Sequence, residues 1–481
     1  MAMDLSGKAN PAGGKDYRIT ALIIASALFI EHMDGPVLAT ALPTLAQEFQ
    51  VSVIRVSGAM TSYLAALAVF IPASGQLADR FGSKSIFMLA IVLFMSGSML
   101  AGAADSLGWL MGARFLQGIG GAMMIPVGNL IVLRSVTKKQ RLHALTWLLI
   151  PSLIGPIVGP PIGGLFVDYW SWRWIFYMNM PLGVLGLWLV AKYIPQVKAA
   201  HRVTFDVRGL LLSGIALGCL LFGFEMFSDH AHWAFATILV STGLLMGSLY
   251  IAYARRSSSA ILDLSLLQIP TFRLAVMAGA MTRIATGALP FILPLVFQLG
   301  FGMSAAASGA VVVASTAGHL GMKWLAPPVL RRFGYRQTLV FNGLISSIGF
   351  VACAFFRPGW PISLMVAVLI VHSVFLSVQF AAYNTLAYDD IPPEKMSSAT
   401  SFYSTFQQFF LSLGICVGAI SLQVGVLLVP STSPGFPEFT YTFLALAVFA
   451  LLAIVWTSQL QDGAGDELAG RKFDVQELGA K

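Results

Sequence analysis

The chain has 481 residues, of which 57% are hydrophobic and only 10% are charged. A soluble domain carries about 25% charged residues, and a soluble protein of this size has no means of hiding so much apolar surface. The composition therefore excludes a soluble globular protein and indicates a chain surrounded by lipid. The net charge of +8 does not indicate nucleic-acid binding, because the basic residues are dispersed through short connectors instead of forming one patch.

Apolar segments of about 20 or more residues, the length that an α-helix needs to cross a bilayer, follow one another along the chain. They predict an all-α membrane protein with fourteen transmembrane helices. The predicted spans are residues 17–41, 53–78, 83–104, 108–133, 142–165, 173–194, 207–227, 233–254, 273–300, 305–326, 337–356, 361–386, 397–429 and 439–460.

The distribution of Lys and Arg predicts the orientation. With a cytoplasmic N-terminus, the connectors on the opposite side of the membrane hold only Arg55, Arg173 and Arg357. By the positive-inside rule, we expect a multi-pass protein of the bacterial inner membrane with both termini in the cytoplasm.

The first span carries two carboxylates, Glu31 and Asp34. A carboxylate inside a membrane is costly and by default marks an ion or substrate pathway. The two share one helix face, and so close a pair resists joint ionisation in a low dielectric, which favours binding a proton. The sequence EHMDGPVLATALP resembles the first-span motif of the 14-helix drug:proton antiporters of the EmrB/QacA type, although Gly35-Pro36 replaces a commoner small-Thr pair. Alternatively, both acids are permanently paired with Arg114 and another base.

The connector after the second span reads GQLADRFGSK and resembles the signature loop of the major facilitator superfamily. A glycine at 75 permits close helix packing, and one at 82 suits a tight turn. The resemblance implies that the motif helps hold the two halves together at the cytoplasmic side; a merely solvated loop explains only the basic residues. The residues concerned are Gly75, Asp79, Arg80, Gly82 and Lys84.

The fourth span contains RFLQGIGGAM, starting at Arg114. It resembles the superfamily motif in which a buried arginine supports proton coupling. At 1.5 Å per residue, Arg114 lies about 10 Å below the outer face and Asp34 about 25 Å above the inner one. The two depths are comparable in a core of about 30 Å. In the alternative interpretation, Arg114 only donates hydrogen bonds to backbone carbonyls.

The fifth span contains GPIVGPPIGG, which resembles the GxxxGPxxGG antiporter motif. Glycines at i, i+4 and i+8 make a smooth face for another helix, and prolines kink the segment. The resemblance implies export rather than import, whereas ordinary small-residue packing would use the same residues. The motif residues are Gly155, Gly159, Pro160, Gly163 and Gly164.

Two further charged residues lie in later spans. Glu225 is near the outer end of the seventh span, where we expect it to reach the interface. Arg283 is near the midplane of the ninth span, and such an arginine usually pairs with an acid or an anionic substrate. We therefore count Arg283, with Glu31, as a candidate substrate-binding residue.

An internal repeat predicts the domain organisation. The connector PPVLRRFGYR at 327–336 aligns without gaps with the loop at 75–84, which indicates two parallel copies of one six-helix unit. We expect an N-terminal bundle at 1–200, an inserted two-helix hairpin with linkers at 201–260, a C-terminal bundle at 261–460 and a cytoplasmic tail at 461–481.

These features predict a proton-coupled multidrug efflux antiporter with a major facilitator fold. Asp34, Glu31 and Arg114 are the proton-coupling residues, and small amphipathic compounds, cationic ones among them, are the substrates. We expect no cofactor, no metal and no nucleic acid; the partners are substrates and the lipid bilayer, and a monomer is compatible with the sequence. The alternative is a dedicated exporter of one endogenous metabolite. An enzyme is disfavoured because no nucleophile–base pair, metal cluster or phosphate loop is recognisable, and a sensor would normally carry an added soluble domain.

Overall fold

The computed structural model describes residues 17–136, 141–196, 205–257, 260–318, 322–429, 434–461 and 463–469. Within these ranges the regular elements are helices, and no strand is present. The predicted all-α fold is thus confirmed. Residues 1–16 and most of the predicted cytoplasmic tail at 461–481 lie outside the described residues.

Eight helices precede the predicted insertion. They are α1 (Tyr17–Ala39), α2 (Leu42–Glu48), α3 (Ser57–Phe81), α4 (Ser83–Gly102), α5 (Leu107–Arg134), α6 (Arg141–Tyr169), α7 (Trp174–Tyr177) and α8 (Asn179–Tyr193). The boundaries have local causes. Ser106 caps α5 by accepting a hydrogen bond from the amide of Trp109 at 3.3 Å. Gly82 separates α3 from α4 with a φ of 96°, which a residue with a side chain rarely adopts.

The helix pair predicted to be an insertion, named the inserted pair below, is α9 (Val207–Met226) and α10 (Trp233–Ala254). Its first helix begins after Asp206, whose carboxylate accepts a hydrogen bond from the amide of Gly209 at 2.8 Å. Eight described helices follow the pair. They are α11 (Pro270–Gly287), α12 (Leu289–Leu295), α13 (Ala305–Ala317), α14 (Met322–Ala354), α15 (Ile362–Leu386), α16 (Met396–Leu428), α17 (Phe436–Thr457) and α18 (Asp466–Ala469).

Twelve helical stretches within the described ranges are long and apolar enough to cross a membrane. The two other predicted spans correspond to α6, with 29 residues, and α13, with 13 residues. At 1.5 Å per residue α13 covers only about 20 Å, so crossing a core of about 30 Å requires its continuation into the first part of α14. That part ends at Gly334, whose φ of 73° interrupts the helix. The count of fourteen remains a prediction.

The long helices run between two ends of the bundle, which we name after a residue at each. The Trp172 end holds the connections at 40–56, 103–106, 170–173, 227–232, 301–304 and 355–361. The Asp79 end holds the opposite connections, including Gly82 and Gly334. Contacts between successive connections support this arrangement, such as Arg173 with Glu48 at the Trp172 end and Asp79 with Arg134 at the other.

The two halves of the chain pack closely at the Trp172 end. One buried apolar cluster joins Val37 and Leu42 of the first half to Phe291 and Leu295 of the second. The carboxylate of Asp168 accepts hydrogen bonds from the first two amides of α13, at 3.1 and 2.8 Å, and so neutralises amides that have no partner within the helix. This end of the bundle is therefore closed between the halves.

Candidate functional site

The carboxylate of Asp34 lies in a buried polar cluster. Arg114 is fully buried and Asp34 is 2% exposed. The guanidinium Nη1 of Arg114 donates a hydrogen bond to Asp34 Oδ2 and another to Gln117 Oε1 at 2.6 Å, while Nε donates to the carbonyl of Ala59 at 3.3 Å. The two residues are in contact, as their comparable depths predict.

Two amide side chains complete the coordination of Asp34. Gln117 Nε2 donates to Asp34 Oδ1 at 2.7 Å and to Ser98 Oγ at 2.8 Å. Asn179 Nδ2 donates to the same carboxylate oxygen at 3.3 Å and to Ser98 Oγ at 3.0 Å. Four helices, α1, α4, α5 and α8, therefore fix the position of Asp34. Breaking one member of such a network leaves the others unpaired in a low dielectric.

A close approach of α4 and α5 makes this network possible. A Cβ atom on Gly97 would lie 2.4 Å from the backbone nitrogen of Gln117, so only glycine fits at this crossing. The approach brings the neighbouring Ser98 within reach of Gln117. Gln117 is three residues after Arg114 and thus on the same face of α5, which is a signal that sequence reasoning could have used. Ser98 and Asn179 gave no comparable signal, because isolated polar residues occur in many apolar spans.

Tyr63 connects Arg114 to the second carboxylate. The guanidinium carbon of Arg114 lies 4.5 Å from the ring centroid of Tyr63 and 5.8 Å from that of Phe176. Such cation–π contacts stabilise a desolvated cation, and Nη2 of Arg114 is buried with no hydrogen-bond partner among the described residues. The Tyr63 hydroxyl donates to Glu31 Oε1 at 3.1 Å.

Glu31 has weaker support than Asp34. It is 6% exposed, and its Oε2 lies 2.8 Å from Nδ1 of His32 without hydrogen-bond geometry. The same imidazole nitrogen lies 2.8 Å from the carbonyl oxygen of Leu28. His32 therefore lies directly against Glu31.

Arg283 occupies a separate buried site in the second half. Its Nη2 donates to Asn384 Oδ1 at 2.9 Å and to the Tyr403 hydroxyl at 2.6 Å. Its guanidinium also lies 4.7 Å from the ring centroid of Phe380. Nε is buried without a partner, and none of the ion pairs found in the described ranges includes this residue. A buried guanidinium with only neutral contacts attracts an anionic group.

The signature loop makes contacts within the first half. Asp79 accepts a hydrogen bond from Arg134 of α5 at 2.6 Å, Lys84 donates to the carbonyl of Ala191 at 2.7 Å, and Arg80 lies over the Phe81 ring. The described contacts of Asp79 thus do not link the two halves, and the implied role of the loop stays a prediction.

The expectation for Gly75 is wrong, whereas that for Gly82 is confirmed. A Cβ atom on Gly75 would meet nothing within 4 Å, and the residue is exposed. The reason is that α3 packs tightly near its middle and its start but not at this position. Gly82 has a positive φ, and the side chain of Gln196 fills the space beside it.

The glycines of α6 face two different helices. A Cβ atom on Gly155, Gly159 or Gly163 would lie 2.9, 3.1 and 2.4 Å from backbone carbonyls of α1, whereas one on Gly164 would lie 2.4 Å from the carbonyl oxygen of Ala305 in α13. Pro160 O lies 2.3 Å from the Cβ position of Gly309, also in α13. The motif therefore supplies the smooth face that was predicted, and it joins both halves at the Trp172 end. Its link to export remains a prediction.

Glu225 does not reach an interface, contrary to expectation. It is 5% exposed; its Oε1 lies within hydrogen-bond distance of Ser57 Oγ, and its Oε2 accepts a hydrogen bond from Thr61 at 2.8 Å. The reason is that α9 packs against the start of α3, where these two hydroxyl groups share one helix face. The rule that marked Glu31 and Asp34 as functional applies equally to this residue.

Comparisons with known proteins agree with the architecture. A family model described as the Major Facilitator Superfamily matches residues 24–415 and 275–472. The candidate multidrug resistance protein MdtD of Salmonella paratyphi A is 34% identical over 462 residues, which are 94% of this chain and 96% of that protein. The same protein of Salmonella typhi matches to the same extent.

Solved structures resemble the chain over almost its full length. A bacterial homologue of the human lysosomal transporter Spinster, inward-facing and unoccupied, gives a TM-score of 0.67 at 14% identity and covers 95% of this chain and 98% of its own. A D-xylose–proton symporter gives 0.64 at 14% identity, with 92% and 97% covered. The nucleoside transporter NupG gives 0.63 at 14% identity, with 93% and 100% covered. At such identities the likeness shows the fold alone.

Proposed function

Because this chain belongs to the major facilitator superfamily and is therefore a membrane transporter and not an enzyme, we propose that it is a proton-coupled multidrug efflux antiporter. It exports small amphipathic compounds, cationic ones among them, by alternating access. The name of the 34% identical relative, MdtD, supports multidrug efflux. Protons are the coupling ion, and the location is the bacterial inner membrane with both termini and the Asp79 end in the cytoplasm.

The observation that carries the proposal is the buried pair of Asp34 and Arg114. A proton on Asp34 removes the charge that pairs with Arg114, and a buried arginine that loses its partner is costly. Protonation therefore favours a rearrangement of α1 against α5. Since α1 also contacts α12 of the second half, a rearrangement of α1 would link proton binding at Asp34 to the relative position of the halves and thereby to substrate binding.

The state of the two ends supports alternating access. The Trp172 end is closed by Asp168 and α13 and by the hydrogen bond from Gln298 to the carbonyl of Thr40 at 2.9 Å. At the Asp79 end, Asp79 and Lys84 of the signature loop contact their own half, whereas Gln76 of the same loop accepts a hydrogen bond from the amide of Asp206, just before the inserted pair, at 3.4 Å. In the proposed orientation the closed Trp172 end is the outer one.

A second candidate function is the dedicated export of one endogenous metabolite. Arg283, with its neutral partners Asn384 and Tyr403, favours a substrate that carries an anionic group. A screen of efflux in a pump-deficient host separates the two: several unrelated drugs support the first candidate, and a single anionic metabolite supports the second.

The decisive experiment replaces Asp34 with Asn, which keeps the shape and removes the titration. We expect Asp34→Asn to insert and to bind substrate, but to lose about tenfold or more of uphill efflux together with substrate-induced proton release. The measurement is efflux in vesicles beside proton release reported by a pH-sensitive dye. Asp105→Asn, at an exposed aspartate of the 103–106 connection, is the matched control. Wild-type uphill efflux and proton release in Asp34→Asn would refute the assignment.

A further inference from the structure

Glu225 connects three parts of the molecule at the Trp172 end. It lies in the last turn of α9, in the inserted pair. Its Oε1 contacts Ser57 Oγ and its Oε2 contacts Thr61 Oγ1, both on α3 of the first half. Cys416 Sγ of α16, in the second half, lies 3.5 Å from Oε2 and 3.9 Å from the Thr61 hydroxyl. The carboxyl group is therefore a polar point at which the inserted pair and both halves meet.

No cation compensates this carboxyl group among the described residues. The helices packed against α9 are α3, α10 and α16, and the one titratable group they direct at Glu225 within hydrogen-bond distance is the Cys416 thiol. The charged groups at the same end contact each other: Asp229 lies 3.3 Å from Arg55 Nε and 3.1 Å from His232 Nδ1.

Asp229 is not an alternative proton carrier. Partial burial raises its pKa, but hydrogen bonds from the Ala231 amide and from His232, together with the charge of Arg55, outweigh burial and leave the pKa below its ordinary value. Asp229 therefore stays ionised near neutral pH. By contrast, a buried carboxylate with only hydroxyl and thiol contacts is expensive in its charged form.

The hydrogen atoms at Ser57 also point to a neutral carboxyl group. Ser57 Oγ lies 2.6 Å from the carbonyl oxygen of Ile54 and within hydrogen-bond distance of Glu225 Oε1. A serine hydroxyl has one hydrogen to donate, and a carbonyl oxygen only accepts. Both contacts are full hydrogen bonds only when Ser57 donates to Ile54 and Glu225 donates its own proton to Ser57.

We propose that Glu225 is a second proton-binding site, and that its protonated carboxyl fastens the inserted helix pair to both halves while the Trp172 end is closed. One proton from the outer aqueous phase converts the carboxylate into the carboxyl group, and its release reverses the step; no other bond changes. Because Thr61 and Cys416 belong to different halves, opening this end separates them and hydrates Glu225. Hydration favours the charged form, so by linkage protonation favours closure. The outward orientation of this end rests on the proposed function.

The test is an infrared pH titration of the full-length protein in lipid nanodiscs. A protonated carboxyl group gives a carbonyl stretching band that a carboxylate lacks. Among the carbonyl bands of buried carboxyl groups in the wild type, we expect one that bleaches as the pH rises and that is lost in Glu225→Gln. Glu48→Gln, at an exposed glutamate of the same end, should retain the band. A spectrum in which Glu225→Gln matches the wild type would overturn the proposal.

A second variant keeps the test decisive if Glu225→Gln does not fold. Ser57→Ala removes the hydroxyl that accepts the carboxyl hydrogen, so the band should shift to higher frequency with Glu225 still present; an unshifted band contradicts the assignment. In transport assays, Glu225→Gln should weaken the dependence of efflux on external pH without abolishing it, because Asp34 still couples efflux to protons; unchanged pH dependence counts against the proposal. The infrared result is independent of transport, so failure of the antiport proposal is distinguishable from failure of this one.

Discussion

The two carboxylates on one face of α1 have different surroundings, and we therefore propose different roles for them. Asp34 accepts hydrogen bonds from Arg114, Gln117 and Asn179, so its negative charge is fully compensated in the closed cluster. Glu31 accepts one from Tyr63 and has an oxygen without one. A substrate cation at Glu31 would meet a carboxylate whose second oxygen has only the His32 imidazole beside it, whereas at Asp34 it would have to displace an arginine.

Replacing Glu31 with Gln tests this division. The variant keeps the acceptor for Tyr63 and removes the charge. We expect the affinity for cationic substrates to fall about tenfold, which corresponds to about 1.4 kcal/mol, while neutral substrates are nearly unaffected. Binding is measured by titrating matched cationic and neutral dyes into the purified protein.

Tyr63→Phe is the control for this substitution. It removes the hydroxyl that donates to Glu31 and retains the ring beside Arg114, so the preference for cations should persist. Equal losses for both substrate classes in Glu31→Gln would instead assign Glu31 to the proton-coupling machinery.

For individual residues, the sequence predicted which charged side chains lie in the buried site better than it predicted their neutral hydrogen-bond partners. Glu31, Asp34 and Arg114 were recognisable because a charge in an apolar span is rare. Gln117 and Asn179 were missed, since the hydropathy of a span does not tell which polar side chains point at a buried charge. Glu225 was misplaced because its position near a helix end suggested exposure, whereas burial depends on the neighbouring helix.

Among the helices, α6 joins α1 of the first half to α13 of the second. Three of its glycines contact α1, which carries Asp34, and Gly164 contacts the start of α13. Asp168, four residues after Gly164, accepts hydrogen bonds from the amides of the same helix start. One face of α6 therefore packs against the helix that carries Asp34, and its last turn contacts α13 at the closed Trp172 end.

Gly164→Ala should weaken that closure. The added Cβ would lie 2.4 Å from the carbonyl oxygen of Ala305, so α6 and α13 must separate. Overpacking of this kind costs about 1–3 kcal/mol. We expect a strong loss of efflux and greater accessibility of the Trp172 end, measured by hydrogen–deuterium exchange at the start of α13.

Gly186→Ala provides the matched control on α8. A Cβ atom there would meet nothing within 4 Å, so efflux and exchange should stay at wild-type levels and the helix should gain slightly in stability. If Gly164→Ala exchanges and transports like Gly186→Ala, close packing at this position does not hold the end closed.

For the whole molecule, hydropathy and charge predicted the helices but not how the halves sit against each other. Long apolar runs must be helical in lipid, because every backbone amide needs an internal partner there. Closure of the Trp172 end arises from contacts between residues far apart in the chain, such as Gln298 with Thr40, which no local pattern encodes. Hydropathy also does not determine the number of spans, because α13 alone is too short to cross the membrane.

Reporter fusions test the topology at the positions where a fourteen-span chain differs from a shorter one. Because α9 ends and α10 begins around residues 227–232, a fusion at His230 should report the outer side, and fusions near Val197 and after Gln459 should report the cytoplasm.

A fusion at Gly302 should report the outer side and one at Gly334 the cytoplasm, because α13 and the first part of α14 together are long enough to cross. Two neighbouring fusions that report opposite sides act as expression controls for each other, because each reporter is active on only one side of the membrane. A cytoplasmic signal at His230 would show that the inserted pair does not cross the membrane. Signals from the same side at Gly302 and Gly334 would show that the chain does not cross the membrane between them. An external signal after Gln459 would show that the second half has the opposite orientation, which contradicts the proposed parallel repeat.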